Sequence, residues 1–324
     1  MAQAAVIIPQ KDGFSGFINL GAGAYTTETN VLANIAALGD IDLGPEKIDS
    51  LNSSPDDESG VLPMVNFELS YTFAESRTQL YLGNLLEDFL RFDLNSVAGV
   101  RQGIGDAGII GASLRRTSVV TEVWQDPYLT GVKRKRTDRD VSGANIYWQQ
   151  IFGTGLELEY TSSEVDIDRE RSGEALGLSA AERRLLDRNG DINRFDVRYE
   201  FSSDDKRHIV TPGIRFIDND LDGGAMSNDG AGLEMLYIYS PNKRWRHVVN
   251  FTYADLEYDK TNPVFGKKDE TERLGGSWTS FYVEPFGWKD WSANFTLAWF
   301  EEDHDIDFYD TTVKLIGVGM LRRF

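Results

Sequence analysis

The spacing with the most definite chemistry in this 324-residue chain is Asp218-Asn219-Asp220-Leu221-Asp222-Gly223, followed by Asp229. Carboxylates at positions 1, 3, 5 and 12 with glycine at 6 match a calcium loop, in which oxygens converge on a hard cation and the glycine permits a sharp turn. Aspartate stands where the last ligand is usually glutamate, and strand-like sequence flanks the segment where helices are usual. The pattern predicts an acidic outer loop in which Asp218, Asp220, Asp222 and Asp229 are candidate ligands for a structural calcium; otherwise no cofactor is expected.

Three histidines are the candidate bases. His208 and His247 each open a strand-like run just after a turn, which places them at a rim. His304 lies in Glu301-Glu302-Asp303-His304-Asp305-Ile306-Asp307, where a carboxylate could orient it as a general base. No serine elbow or second histidine accompanies it, so it reads as part of a solvated acidic loop, and no enzyme is expected. Lys133-Arg134-Lys135-Arg136 would suit lipopolysaccharide phosphates as a point-charge anchor.

The segments between these groups have a period of two. In Val65-Asn66-Phe67-Glu68-Leu69-Ser70-Tyr71-Thr72-Phe73 every odd residue is apolar or aromatic and every even one polar, and Phe195-Asp196-Val197-Arg198-Tyr199-Glu200-Phe201 repeats the rhythm. A strand with lipid on one face and water on the other requires this pattern. Fourteen such runs can be marked, near 13–28, 63–74, 77–85, 94–104, 107–123, 141–151, 155–168, 191–202, 207–217, 231–240, 245–258, 272–284, 288–301 and 308–323. Their connections alternate long and short. The short ones, such as Ala74-Glu75-Ser76 and Pro285-Phe286-Gly287, carry turn residues. The long ones have solvated compositions, and Ser179-Ala180-Ala181-Glu182 is a capping box that predicts a short helix near 169–190. The predicted fold is all-β, a transmembrane antiparallel up-and-down barrel of about 14 strands over residues 13–324, with both termini at the short-turn side and long loops outside.

With apolar rows toward lipid, the alternate rows put Asn66, Glu68, Ser70, Arg101, Ser113, Arg115, Asn145, Gln149, Glu157, Glu159, Arg194, Asp196, Arg198, Glu200 and Arg215 in the lumen. Eight strands would fill with side chains and sixteen would leave an aqueous channel, so fourteen predict an opening unless a segment plugs it. Phe17, Tyr25, Tyr81 and Tyr147 also fall on inward rows, where a ring could stack on a sugar face. Trp148, Trp245, Trp288, Trp291, Trp299, Tyr160 and Tyr199 fall at strand ends or outward and suit interfacial belts. Strands ten, twelve and fourteen, with Leu233, Leu236, Ile238, Trp278 and Val313, fit neither phase, so no lumen residue is assigned there.

Residues 1–12 precede the first strand at the inner, periplasmic mouth. The Val6-Ile7-Ile8 cluster is costly to leave in water and suggests a removable lumen constriction. No charged n-region or apolar h-region follows Met1, so the expectation is a mature chain whose secretion signal has been removed. The formal charge of -19 argues against nucleic acid. The chain lacks cysteine, which fits an oxidising compartment.

The last strand, Lys314 to Phe324, resembles the aromatic-terminated strand of bacterial outer-membrane barrels, with Arg322 departing from the usual apolar residue. Together with Gly13-Phe14-Ser15-Gly16-Phe17-Ile18-Asn19-Leu20-Gly21, the length and the fourteen-strand plan, it resembles the monomeric outer-membrane channels for cyclodextrins and related oligosaccharides. That resemblance implies a monomer in the outer membrane of a Gram-negative bacterium, bedded in lipid and lipopolysaccharide, passing a bulky oligosaccharide by passive diffusion. The residues themselves leave open a general porin for small hydrophilic solutes, and a barrel enzyme or adhesin with a filled lumen.

Overall fold

In the computed structural model, which describes residues 7–36, 41–84 and 94–324, the strands close into an antiparallel barrel of 14 strands. They are β1 (Gly13–Glu28), β2 (Asp57–Phe73), β3 (Thr78–Asn84), β4 (Leu94–Gly103), β5 (Ile109–Val119), β6 (Arg136–Gln149), β7 (Leu156–Ile167), β8 (Gly190–Tyr199), β9 (His208–Leu221), β10 (Asn228–Asn242), β11 (Trp245–Tyr258), β12 (Glu270–Val283), β13 (Trp291–His304) and β14 (Thr311–Arg323). Each pairs with its sequence neighbours. β1 closes on β14 from Phe17 opposite Arg323 to Glu28 opposite Thr312. Beyond that ladder the Gly16 and Phe324 backbones exchange hydrogen bonds of 3.0 and 3.1 Å, so the seam is zipped to the last residue. Closure leaves no sheet edge, as a barrel in lipid requires.

The period of two decides what faces where. Leu20, Val65, Leu69, Leu82, Leu114, Ile146, Phe216, Leu233 and Val318 stand outward and exposed, while Thr72, Gln79, Arg101, Asp196 and Thr211 on alternate rows are buried. Toward the long-loop rim the outward rows turn acidic. Asp140 stands opposite Asp166, Asp191 opposite Asp220, Asp218 opposite Asp229, and Glu272 opposite Asp303. Carboxylates in such rows cannot sit in hydrocarbon, so the lipid belt lies below them and the barrel projects beyond it. β2 shows the consequence: it starts at Asp57, six residues before its apolar alternation, because the ladder with β1 continues to Glu28 opposite Asp57.

Near the short-turn rim the outward rings form a girdle. His208 stacks on Tyr239 at 4.8 Å, and His247 lies parallel to Trp245 at 5.9 Å. Both histidines thus sit at the interface their sequence position predicts. Trp148 donates Nε1–H to the Ala107 carbonyl at 2.8 Å, an amphipathic ring with its polar edge satisfied.

The long connections are not simple solvated loops. Six of them meet in an apolar cluster containing Ile48, Tyr128, Leu186, Ala225, Phe265 and Phe308, which forms a cap over the long-loop mouth. The predicted helix is present as α1 (Ala180–Arg184) with both arms of its capping box made. The first connection also folds inward. A short hairpin, Leu32–Ile35 against Ile41–Asp42, joins the sheet through Thr121–Trp124, which pairs with the upper end of β6. Ile35, Ile41 and Leu43 pack on the inward residues Tyr25, Leu62, Phe300 and Val313. The opening expected of fourteen strands is therefore narrowed from the long-loop side by a segment of the first connection.

Candidate functional site: a two-chambered lumen

Among the described residues, two cavities that share no lining residue lie inside the barrel. The lower, of about 190 Å³, is bounded by Phe17, Tyr81, Arg101, Arg115, Tyr147, Glu157, Glu159, Arg194 and Arg198, all assigned to the lumen from sequence. Asp196 and Arg215 stand beside it in the same charged wall. Of the four inward aromatics only Tyr25 is elsewhere. It is buried in the upper apolar cluster and donates its hydroxyl to the Asp42 carbonyl at 2.6 Å, so it anchors the inward hairpin and offers no free ring face.

Strand register builds the charged wall. Glu159, Asp196 and Arg215 stand opposite one another across β7, β8 and β9. In the adjoining row Arg198 and Glu234 flank Gly213, and the absence of a side chain at Gly213 lets the two meet across β9. Asp196, with no exposed surface, accepts from Arg194 Nε at 3.0 Å and Arg215 Nε at 2.5 Å. Arg198 donates to Glu234 and, at 2.8 Å, to Glu159; Arg215 Nη2 reaches Glu234 at 2.8 Å. Asp196, Arg198 and Glu234 thus each have opposite charges in hydrogen-bond contact, the condition under which burial is tolerated.

The wall continues toward β2. Arg101 holds Glu68 through two hydrogen bonds of 2.9 and 2.8 Å, donates to Gln79 at 3.0 Å, and lies over the Tyr81 ring at 3.9 Å. Asn145 donates to Glu159 at 2.7 Å. Across the lumen the groups at this level are amides and hydroxyls: Asn250 bonds Ser277 at 3.2 Å and Asn294 bonds Asn19 at 2.7 Å. One arc of the lumen is therefore ionic, and the facing arc is amide and hydroxyl with Arg246 and Arg323 on its inward rows nearer the short-turn rim.

Glu234 escaped the sequence reading because β10 is apolar on both faces. Leu233 and Met235 face out, whereas Leu236 and Ile238 face in and cluster with Ile209 and Val248. A usable signal was present: Glu234 is the single charge between Gly230 and Asn242, and a lone charge in a spanning strand belongs on the polar side. Trp278, 40% exposed, faces out, and Val313, at 2%, faces in.

The upper chamber, of about 220 Å³, lies beneath the cap and mixes apolar walls with Arg139, Arg188, Arg273, Glu302 and His304. His304 corrects the expectation of a solvated loop. It ends β13, is 8% exposed, and its Nδ1 lies 2.8 Å from both Asp269 Oδ2 and Thr271 Oγ1. Arg273 pairs with Glu302 at 2.7 Å.

Two loop motifs are also placed differently from expectation. Asp218 and Asp220 are outward strand residues of β9, Asp222 lies in the turn, and Asp229 is already in β10 opposite Asp218. Three of the four carboxylates are thus strand residues, with Asp218 and Asp229 side by side on the outward face, and among the described residues no group of three or more acids and histidines is placed to hold a metal. In the basic run, Arg134 turns inward at 4% exposure and donates to the carbonyls of Asn30, Pro127 and Pro45. Arg136 pairs with Asp42 at 2.6 Å and Lys133 with Glu46 at 2.5 Å, so the run ties loops together instead of presenting a bare basic patch. Of the N-terminal segment, residues 1–6 lie outside the described residues; Ile7 is exposed, Ile8 is buried, and Asp12 accepts from the Ala74 N–H at 2.6 Å.

No curated protein matches the sequence. Among solved structures the chain is similar to the outer-membrane channel DcaP of Acinetobacter baumannii, at 10% identity and TM-score 0.47 over 99% of this chain and 100% of that one. It is similar also to a Pseudomonas aeruginosa FadL homologue, at 10% identity and TM-score 0.48 over 95% and 90%. A further similarity is to the monoaromatic hydrocarbon channel TodX in its deltaS2S3 mutant form, at 13% identity and TM-score 0.45 over 95% and 90%. Residues 13–322 match the family described as "Protein of unknown function (DUF2860)", so essentially the whole barrel is covered and the chain belongs to that family.

Proposed function

We propose that this protein is an outer-membrane channel through which small hydrophilic solutes diffuse passively into the periplasm, with the long-loop rim outside. The observation that carries this reading is the ionic wall from Glu68 to Glu234 inside a closed barrel whose outward rows are apolar. Charge at that density in a spanning wall is characteristic of a wetted path. Arg101, Arg198 and Arg215 are paired with Glu68, Glu159, Asp196 and Glu234, so charges of both signs are interleaved along this wall, which suits neutral polar solutes.

Oligosaccharides are the solute class we favour. Tyr147 stands among carboxylates, guanidinium groups and Asn145 around the lower chamber, supplying a ring face and hydrogen-bonding partners together, while the Tyr81 ring is already covered by Arg101. A chamber of about 190 Å³ takes little more than a single sugar ring, since pockets for larger ligands are roughly 300–1,000 Å³. A cyclodextrin would enter only after the cap and the inward hairpin swing aside.

The test is single-channel current in a planar bilayer with glucose, linear oligomers and cyclic oligomers added in turn. Stepwise current with concentration-dependent sugar block is the expected result. Current without block would favour a general porin, and no current would remove the channel reading.

A further inference from the structure

The inward rows around the upper chamber break the rule that lumen-facing residues are polar. Val165 and Ile167 of β7, Ile192 of β8, Phe300 of β13 and Val313 of β14 all turn inward there, with Leu32 of the hairpin. These apolar residues recur on five elements at one height beneath the cap. Apolar walls hold water poorly, and an engineered cavity of about 150 Å³ with such walls takes up benzene. At about 220 Å³ the chamber accommodates an aromatic ring or a branched aliphatic body with a small polar substituent.

The polar groups fix the sign of that substituent. Arg139, Arg188 and Arg273 line the chamber, and Glu302, paired with Arg273, is the single carboxylate among the lining residues. Arg188 is 7% exposed; its Nε bonds Glu170 at 2.6 Å and its Nη2 the Trp124 carbonyl at 2.7 Å, while its buried Nη1 has no partner. A buried donor without an acceptor is unfavourable, and an incoming anion would relieve it.

We propose that the chamber beneath the cap is a binding site for a small amphipathic acid, an aromatic or branched aliphatic body bearing a carboxylate. The body rests on Val165, Ile167, Ile192 and Val313, and the carboxylate turns to the arginines. The proposal goes beyond the channel reading and rests on it only for the route by which the acid arrives.

The experiment is calorimetric titration of the whole folded protein in detergent with benzoate and with benzamide, its neutral counterpart of similar shape. Benzoate is expected to bind at least tenfold more tightly. Ile192→Trp, which fills the chamber from a partly exposed wall position, is expected to abolish binding while the protein keeps the heat-dependent gel mobility of a folded barrel. Glu302→Gln, which removes the opposing carboxylate, is expected to tighten benzoate at least threefold. Equal affinity for acid and amide, no binding of either, or binding that survives Ile192→Trp would each overturn the proposal, as would unchanged or weaker benzoate binding in Glu302→Gln. Bilayer current separates the two readings: benzoate binding without current removes the channel and leaves the site, whereas current without benzoate binding removes the site and leaves the channel.

Discussion

Tyr147 of β6 lies flat across Gly111, its register partner on β5, with its ring where a Cβ on Gly111 would stand. Tyr81 is seated in the same way on Gly99 of β4. The glycines are gaps in the wall that let two large rings lie against it without crossing the lumen. A tyrosine that only filled space would not require this recess.

Gly111→Val should therefore lift Tyr147 into the lower chamber. The expected outcome is a severalfold smaller single-channel conductance and weaker sugar block, with a destabilisation of about 1–3 kcal/mol from overpacking. Adding Tyr147→Ala should restore conductance while leaving sugar block weak. Full conductance in Gly111→Val alone would show that the ring does not border the conducting path.

Glu234 joins Arg198 and Arg215, so Glu234→Ala leaves two guanidinium groups short of a partner in a buried wall. Breaking such a network costs about 3–5 kcal/mol. The expected signs are a lower temperature for the gel-mobility shift of the folded barrel and a reversal potential displaced toward anions. Glu234→Gln, which keeps an acceptor oxygen, should show the selectivity change with a smaller loss of stability.

Alkali should loosen the cap. Tyr128 and Tyr309 share a hydroxyl–hydroxyl bond of 2.5 Å, and Asn262 donates to Tyr309 at 2.7 Å. Burial pushes the Tyr128 phenol from 10 up to about 12, and Tyr309 well above its ordinary value. For an acid held protonated by folding, the stabilisation is fully present below pH 10 and is lost as pH rises through about 12. The Tyr128 shift corresponds to about 3 kcal/mol. Stepping a bilayer recording from roughly pH 8 to pH 11 should raise the open-state current. The double variant Tyr128→Phe and Tyr309→Phe should lose that rise; retention of it would place the alkaline response elsewhere.

Removal of residues 2–12 tests the segment before β1. Asp12 is bonded to the Ala74 amide and Ile8 is buried. If the segment constricts the inner mouth, single-channel conductance should rise on deletion. Unchanged conductance would make it an anchored tail.

The sequence by itself determined the barrel. Alternation such as Asn66, Glu68 and Ser70 against Val65, Phe67 and Leu69 fixes both the strand and its facing, because a shift by one residue would put carboxylates into lipid. The same logic placed Arg101, Glu159, Asp196, Arg198 and Arg215 on the inner wall and His208 and His247 in the rim girdle. It failed at Glu234, where apolar residues on both faces of β10 erased the phase, and at Tyr25, whose inward row was legible but whose burial by the hairpin was not.

Only the tertiary structure decided what the long connections do. Ile48, Tyr128, Leu186 and Phe308 come from separate loops, and no local pattern announces that they meet. Asp218 to Asp229 has the spacing of a cation loop, but the hairpin takes Asp218, Asp220 and Asp229 into its strands, facing outward. Arg134 looks like a surface cation until three carbonyls from distant turns surround it. Strand facing is a property of neighbours two residues apart along one chain, so it can be read locally. The cap, the inward hairpin and the chamber beneath them depend on which distant loops the closed barrel brings over one mouth, and that is set only once the first strand has paired with the last.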